Sequence, residues 1–512
     1  MRASTYPATA RGPMVEGFIG SLLVLFGSIG VGWLLNISPI TRHAWVIPLR
    51  TEPIGVVLAT TALTLGCWIM FRAWLRLGRA LSNPDRQTHG GRWRPGALKT
   101  VSIATALWSA PQLLALPIFS RDVFAYLNQG RQVIAGQDPY TSGVSSLENW
   151  FHLGTDITWA ESETPYGPLF LWLEAGVMRV TPEQPDLAIF LFRLACAAGV
   201  GMIMVYVPKI ARLHGVDGAR AQWIAVANPL LIISFISSAH NDAIMVGFAL
   251  AGVYAAAHGR GVLATLLVTV SIGIKPITIV LLPFIGLLWA GPGASWRRRF
   301  FHWGVTAAIA GGVMVAVGLV QGFGFGWLSV LAGTGTGSVF WSPVGIVEGW
   351  SRSLLDIFGL PSEWVSDALK LGGRVLSVIV VLVLMFKGSD RHVVQRMMWA
   401  FTALVVLSPI IQPWYLLWLL PFFAVTGIRQ DWQFKWVVFT VAFFLAFGAF
   451  DQLSIWQFLE MDQQMIALSL AISWLAILWM GFFDRGTRWV VWEGWNLPFV
   501  TRFLSRRAAE QR

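Results

Sequence analysis

The sequence predicts an all-α polytopic membrane protein of about 14 transmembrane helices, with one long polar segment between two of them. Three observations carry that prediction. Of 512 residues, 55% are hydrophobic and only 12% are charged, against roughly 25% charged in soluble globular chains. Mean hydropathy is +0.63. Apolar stretches of membrane-crossing length recur along the whole chain, among them 18–35, 190–207 and 468–483, and a span needs about 20 predominantly apolar residues, fewer where it is short or broken. A soluble enzyme and a disordered chain are excluded.

The first apolar run follows Arg2 and Arg11, lacks a small-residue cleavage site and stops at Asn36-Ile37-Ser38-Pro39. It reads as a retained helix rather than a signal peptide. Spans are expected near 17–36, 54–75, 98–118, 187–208, 222–238, 242–257, 261–275, 277–291, 301–320, 372–387, 397–412, 413–427, 434–450 and 465–483. That arrangement puts both termini on one side. The same side holds 26 of the 37 Lys and Arg residues, while 18 of the 26 acidic residues fall on the other. Basic loops stay cytoplasmic, so both termini are expected inside the plasma membrane and the acidic side outside. The net charge of +11 then reports topology, not a nucleic-acid partner.

The stretch 168–180 is apolar but short. If it crossed, the basic stretch 209–220 would move outside. A helix lying at the outer interface, or a re-entrant one, is expected instead, with Glu174 and Arg179 half in water; a true span is the alternative. The whole chain reads as one embedded domain: a cytoplasmic end and two accessory helices over 1–97, a core over 98–483 that includes the outer loop 119–186, and a basic tail over 484–512. Arg502, Arg506 and Arg507 in that tail suit anionic membrane lipid. Many of the 28 tryptophans sit at span ends, where interface anchoring explains them. Cys67 and Cys196 lie in apolar stretches and read as small core residues, not a disulfide or metal site.

Polar residues at membrane depth are costly, so each is a functional candidate. Four unusual clusters fall at the outer mouth of this topology: Arg121-Asp122, His240-Asn241-Asp242, Lys275-Pro276 and Gln412-Pro413-Trp414-Tyr415. Their shared face points to one outward-facing site. Asp122 is either a functional carboxylate or the N-cap of the next helix. Asp138-Pro139-Tyr140 reads as a turn, and Pro168 starts the interface helix. Glu163 stays open to a functional role. His240 and Asp242 either bind substrate hydroxyls or phosphate, or satisfy each other at a helix break. Lys275 either binds phosphate or snorkels to the interface. Gln412, Trp414 and Tyr415 line a sugar pocket or form an aromatic belt. Pro276 and Pro413 break helices where freed backbone groups need partners, which favours a water-lined cavity. The Gly-Thr-Gly-Thr-Gly run at 333–337 has no strand before it and is an outer loop, not a nucleotide fingerprint.

These residues carry a resemblance. Ser120 to Tyr126, Gly136 to Tyr140 and Pro165-Tyr166-Gly167-Pro168 resemble the first outer loop of integral-membrane GT-C glycosyltransferases. With Ala239-His240-Asn241-Asp242, Ile274-Lys275-Pro276 and Gln412 to Tyr415, they resemble the actinobacterial polyprenyl-phosphomannose-dependent α-1,6-mannosyltransferases of the MptB type. The resemblance implies a GT-C fold, a mannosyl phosphate on a polyprenol as donor, an α-1,6-mannan glycolipid as acceptor, and a product feeding lipomannan and lipoarabinomannan. It also implies an acidic base in the first outer loop, the position of Asp122. The Asp-X-Asp motif of some GT-C enzymes is missing, since Arg121 precedes Asp122, so a metal requirement is doubtful and no cofactor is expected.

The residue types suit that chemistry. A polyprenyl phosphate leaves without protonation, so the reaction needs one base for the acceptor hydroxyl and cations or donors for the charge growing on the phosphate. Asp122 takes the first role, with Glu163 as second choice. Lys275, Arg121 and His240 take the second. Glu163, Tyr166, Asn241, Asp242, Gln412, Trp414 and Tyr415 are expected to bind substrate. The rival readings are another polyprenyl-phosphate sugar such as arabinofuranose or glucose, and a glycolipid transporter or flippase. A transporter would place its polar groups near the midplane and show paired repeats.

Overall fold

The computed structural model describes residues 6–82, 93–329, 339, 341–454 and 461–492. The Gly-Thr run at 333–337 and the basic tail beyond 492 lie outside the described residues. Regular structure among the described residues is entirely helical. In chain order the helices are α1 (Tyr6–Val31), α2 (Val46–Thr51), α3 (Pro53–Leu81), α4 (Ala97–Gln112), α5 (Asp122–Ile134), α6 (Pro168–Val180) and α7 (Pro185–Leu213). There follow α8 (Gly218–Ala225), α9 (Pro229–Ile232, running on through Ser237), α10 (Asp242–Ala257), α11 (Gly261–Ile274), α12 (Leu282–Ala290) and α13 (Trp296–Gln321). The chain closes with α14 (Pro343–Ile357), α15 (Trp364–Phe386), α16 (Val393–Val406), α17 (Leu416–Thr426), α18 (Trp432–Ser454), α19 (Asp462–Leu478, extended to Phe483) and α20 (Trp489–Trp492).

All fourteen expected spans are helical, but they differ in kind. Seven of the described helices, α1, α3, α7, α13, α15, α18 and α19, are long and apolar enough to cross a membrane. A bent pair, α8 with α9, adds an eighth if it counts as one span. Its 56° bend has a local cause: Asn228 starts a new helix by accepting from the Leu231 N–H, and Pro229 occupies the first helical position. Four shorter apolar helices cover 242–257, 261–274, 276–290 and 413–426. The last two expected spans are α4, of 16 residues, and α16, of 14. The short helices surround the polar clusters, and the long ones form their flanks.

Helix α1 packs against α3 through glycines. A Cβ on Gly20 would meet the Gly66 carbonyl at 2.9 Å, and one on Gly27 would meet that of Ala59 at 2.7 Å. Small residues at such crossings let backbones approach where no hydrophobic drive favours association.

Helix α6 has 13 residues, about 20 Å of helix, and falls short of the roughly 30 Å hydrocarbon core. Its environment corrects one expectation. Arg179 is exposed, but Glu174 is fully buried rather than half wet. The cause is α5: a Cβ on Gly130 would meet the Glu174 carbonyl at 2.7 Å, so the two helices touch there. Neither Glu174 carboxyl oxygen has a hydrogen-bond partner among the described residues, and burial raises the group well above its ordinary 4.5. A raised carboxyl favours the folded state at low pH and costs stability as pH rises from the unfolded value towards the folded one. Glu174→Gln is therefore expected to raise the melting temperature at pH 7, with the gain fading below pH 4.5. Thermal unfolding in nanodiscs across pH checks this.

Candidate active site at the helix ends

The ends of α4, α9 and α11 and the starts of α5, α10 and α17 meet at one end of the bundle. Two reversals bring the acidic residues there. Phe119 and Ala239 both adopt left-handed backbone, at φ 64° and 55°, a conformation costing a non-glycine residue about 1–2 kcal/mol. Phe119 is held by its N–H donating to Gln452 Oε1 at 2.9 Å, while Gln452 Nε2 donates to the Val31 carbonyl at 2.7 Å. The second reversal is gripped by α7 in register. Arg193 donates to the Ser237 carbonyl at 2.8 Å, the Cys196 thiol donates to that of His240 at 3.3 Å, and Gly199 packs on Ala243.

Asp122 opens α5, yet does not cap it. The Ser120 hydroxyl accepts from the Asp122 N–H at 3.1 Å, which frees the carboxylate. Its Oδ1 accepts from Trp159 Nε1 at 3.2 Å, and its Oδ2 lies 3.5 Å from His240 Nδ1. The same imidazole nitrogen lies 3.8 Å from Asp242 Oδ2. Asp242 Oδ1 accepts from Lys275 Nζ at 2.8 Å. Lys275 is the extended residue before Pro276, at φ −144° and ψ 112°, as a residue preceding proline prefers. It is 8% exposed, so it does not snorkel to a surface. The rings of Tyr166, Tyr415 and Trp418 surround its ammonium at 5.7, 5.4 and 4.8 Å. Trp414 stacks on His240 with centroids 3.9 Å apart.

Tyr166 stays beside Lys275 because Gly167 allows it. The Gly167 N–H donates to the Ile274 carbonyl at 2.9 Å, and a Cβ there would lie 2.4 Å from the Gly273 carbonyl oxygen. The Asp138 turn forms as expected, with Oδ1 accepting from the Tyr140 N–H at 2.9 Å; Tyr140 Oη in turn donates to the Tyr166 carbonyl at 3.0 Å.

The electrostatics separate the two carboxylates. Burial pushes Asp122 up to about 6; the Lys275 ammonium opposes this and the Asp242 charge adds to it. Burial, reinforced by Lys275, holds His240 well below its ordinary 6.5, so the imidazole is neutral. Asp242 is tied to Lys275. The arrangement offers a carboxylate of raised basicity and a fixed cation, linked through a neutral imidazole and Asp242. Several polar atoms in and around it have no hydrogen-bond partner among the described residues, namely both His240 ring nitrogens, both Asn241 amide atoms, Asp242 Oδ2 and the Trp414 and Trp418 indole nitrogens.

All four clusters read from the sequence converge, through Asp122, His240, Asp242, Lys275, Trp414 and Tyr415. Tyr166 joins them, and Asn241 is fully buried beneath. Gln412 is half-buried at the start of the Trp414 turn. Glu163 is exposed and outside the cluster. Arg121 is turned away: its guanidinium donates to the Gly154 carbonyl at 2.6 and 3.0 Å and pairs with Asp156. The sequence suggested no acidic partner for Asp122, but the fold brings Asp242 to the far side of His240. Tyr126, Trp159 and Trp418 were not foreseen as site residues. The first and last had a signal, since Tyr126 lies four residues after Asp122 and Trp418 four after Trp414, one helical turn on. Among the described residues, no three His, Cys, Asp or Glu side chains are arranged to hold a metal ion.

Short apolar helices meeting at an acid–base cluster, flanked by helices long enough to cross a membrane, are compatible with a multi-pass membrane enzyme. Comparison with known proteins makes the class specific. Residues 14–291 match the N-terminal domain model of alpha-(1->6)-mannopyranosyltransferases, and residues 342–479 match an MptB C-terminal domain model. Alpha-(1->6)-mannopyranosyltransferase A of Mycobacterium tuberculosis is 29% identical over 80% of this chain and 78% of its own length. Alpha-(1->6)-mannopyranosyltransferase B of Corynebacterium glutamicum is 25% identical over 83% and 75%. The chain belongs to the alpha-(1->6)-mannopyranosyltransferase family.

Proposed function

We propose that the protein is an inverting GT-C mannosyltransferase that moves mannose from a polyprenyl-phosphate-mannose donor to the 6-hydroxyl of an α-1,6-mannan glycolipid. The observation that carries this reading is the buried chain at the helix ends in which His240 lies between Asp122 and Asp242, and Asp242 accepts from the Lys275 ammonium. Asp122 takes the proton of the acceptor hydroxyl. The oxygen attacks the anomeric carbon, the bond from that carbon to the phosphate oxygen breaks, and the electron pair leaves with the polyprenyl phosphate. A β-linked donor then gives an α product. Lys275 meets the charge that grows on the departing phosphate, which is where a fixed cation contributes most. Trp414, Tyr415 and Tyr166 provide ring faces for the sugar, with Gln412 and Glu163 at the approach. His240 is neutral and spaces the two carboxylates.

The donor's prenyl chain stays in the bilayer, which fits a site built at helix ends. The charge bias of the loops supports an outer-face site in the plasma membrane with cytoplasmic termini, and the likeness to alpha-(1->6)-mannopyranosyltransferases supports a product entering lipomannan and lipoarabinomannan. In this reading Lys275 supplies the positive charge and no metal is required.

The test is transfer in membranes from labelled polyprenyl-phosphomannose to a short α-1,6-mannoside, with EDTA present. The expected result is a mannoside one residue longer, with the new linkage α-1,6. Transfer only from a polyprenyl-phosphoarabinose would replace the donor. Activity abolished by the chelator would overturn the metal-free reading. Movement of intact glycolipid without new linkages would point to transport.

A further inference from the structure

We propose that Arg121 and Trp159 are positioning residues that together aim the Asp122 carboxylate, and that Arg121 does so through the backbone of the 154–159 turn. The inference rests on the reading of Asp122 as base, and it takes Arg121 off the donor phosphate.

Arg121 Nε and Nη2 both donate to the Gly154 carbonyl, at 3.0 and 2.6 Å, and Nη2 also reaches the Thr155 carbonyl at 3.3 Å. Nη1 pairs with Asp156 Oδ2 at 3.3 Å, and the guanidinium lies 4.7 Å over the ring of Trp33. The strip is fastened to α5 at a second point. Thr155 Oγ1 donates to the Phe124 carbonyl at 2.8 Å and accepts from Asn128 Nδ2 at 2.8 Å. From Asp156 the chain makes one tight turn, with the Trp159 N–H donating to the Asp156 carbonyl at 2.9 Å. That turn carries the indole back to the start of α5, where Nε1 donates to Asp122 Oδ1. Arg121 and Asp122 are neighbours in sequence, yet the hydrogen bonds of Arg121 lead to Asp122 through the turn that carries Trp159. A planar fork that shares one carbonyl between two N–H groups is a property of arginine that lysine lacks.

The groups facing Asp122 are Lys275, Asp242 and His240 from the helix ends, Asp156 from the turn, and the hydroxyls of Tyr126, Tyr166 and Tyr415. The Trp159 bond favours the charged carboxylate and the Asp156 charge disfavours it. Releasing the indole, or freeing Asp156 from Arg121, therefore moves the titration of Asp122 upward.

The experiment is the pH profile of mannosyl transfer by full-length wild type, Trp159→Phe and Arg121→Lys in nanodiscs, with the donor KM measured for each. In Trp159→Phe the acid limb of kcat/KM is expected to rise by about 0.5–1 pH unit, the worth of one hydrogen bond. Arg121→Lys keeps the charge but loses the fork. It is expected to move the limb the same way, lower kcat and leave the donor KM within about twofold. The double variant is expected to move the limb at least as far as Trp159→Phe, because the Asp156 charge acts on Asp122 beside the lost indole bond. The variants are independent, so misfolding of one leaves the other as the test. An unmoved acid limb in a folded variant overturns the inference and leaves Asp122 as base. A donor KM raised tenfold or more in Arg121→Lys, with the limb fixed, returns Arg121 to the phosphate. An active Asp122→Asn enzyme overturns the base itself.

Discussion

Asp122→Asn is expected to cut mannosyl transfer by about 10²–10⁴-fold, the usual worth of a positioned general base, without loss of folded protein. Asparagine keeps the shape and still accepts from Trp159, but it cannot take a proton. Stability is expected to hold because the native carboxylate is already penalised by burial, which pushes it up to about 6; at neutral pH the amide removes that penalty. The same value sets the pH dependence of the wild type. The base works deprotonated, so the rate rises with pH through about 6 and falls below it. In Asp122→Asn this limb is expected to vanish from whatever activity remains. Turnover and thermal unfolding measured on the same preparations separate the two effects. Turnover within tenfold of wild type would move the base elsewhere, and Glu163, exposed outside the cluster, would be the first residue to replace.

Membrane immersion is written in composition, because every lipid-facing position must be apolar; all fourteen apolar segments are helices. Three of the four site clusters were legible for the same reason, since Asp122, His240, Asp242 and Lys275 are costly in such surroundings and each stands beside a helix break; the fourth shows itself by the break at Pro413. What the sequence hides is pairing at a distance. Trp159 is one of 28 tryptophans, and nothing local distinguishes an indole that holds a carboxylate 37 residues away from one that anchors at an interface. Arg121 and Asp122 look like one unit in sequence, but adjacent residues at a helix start point about 100° apart, and the fold uses them for different ends. Glu174 misled because an amphipathic pattern shows that a face is polar, not that another helix covers it. Cys196 reads as core in either view, and its thiol to the His240 carbonyl is visible only once α7 lies alongside.

Lys275→Met is expected to damage both activity and fold, and the two losses can be separated. The activity loss follows from the growing phosphate charge. Removing one fixed electrostatic stabiliser from a water-poor site costs about 10²–10³-fold in turnover, and the methionine stem fills similar space among Tyr166, Tyr415 and Trp418. The stability loss follows from Asp242, which accepts from Lys275 at 2.8 Å and is fully buried. Taking away one member of a buried pair leaves an uncompensated charge, at a cost of about 3–5 kcal/mol. Adding Asp242→Asn removes that stranded charge, so the double variant is expected to regain most of the melting temperature and none of the turnover. Lys275 also lowers the titration of Asp122, so residual activity in Lys275→Met is expected to show an acid limb above 6, and the double variant a limb shifted back down. Lys275→Arg keeps the charge but puts a broad planar group where three rings enclose a compact ammonium, so partial activity with weaker donor binding is expected. If the double variant recovered turnover together with stability, Lys275 would serve only to neutralise Asp242, and the phosphate would need another cation.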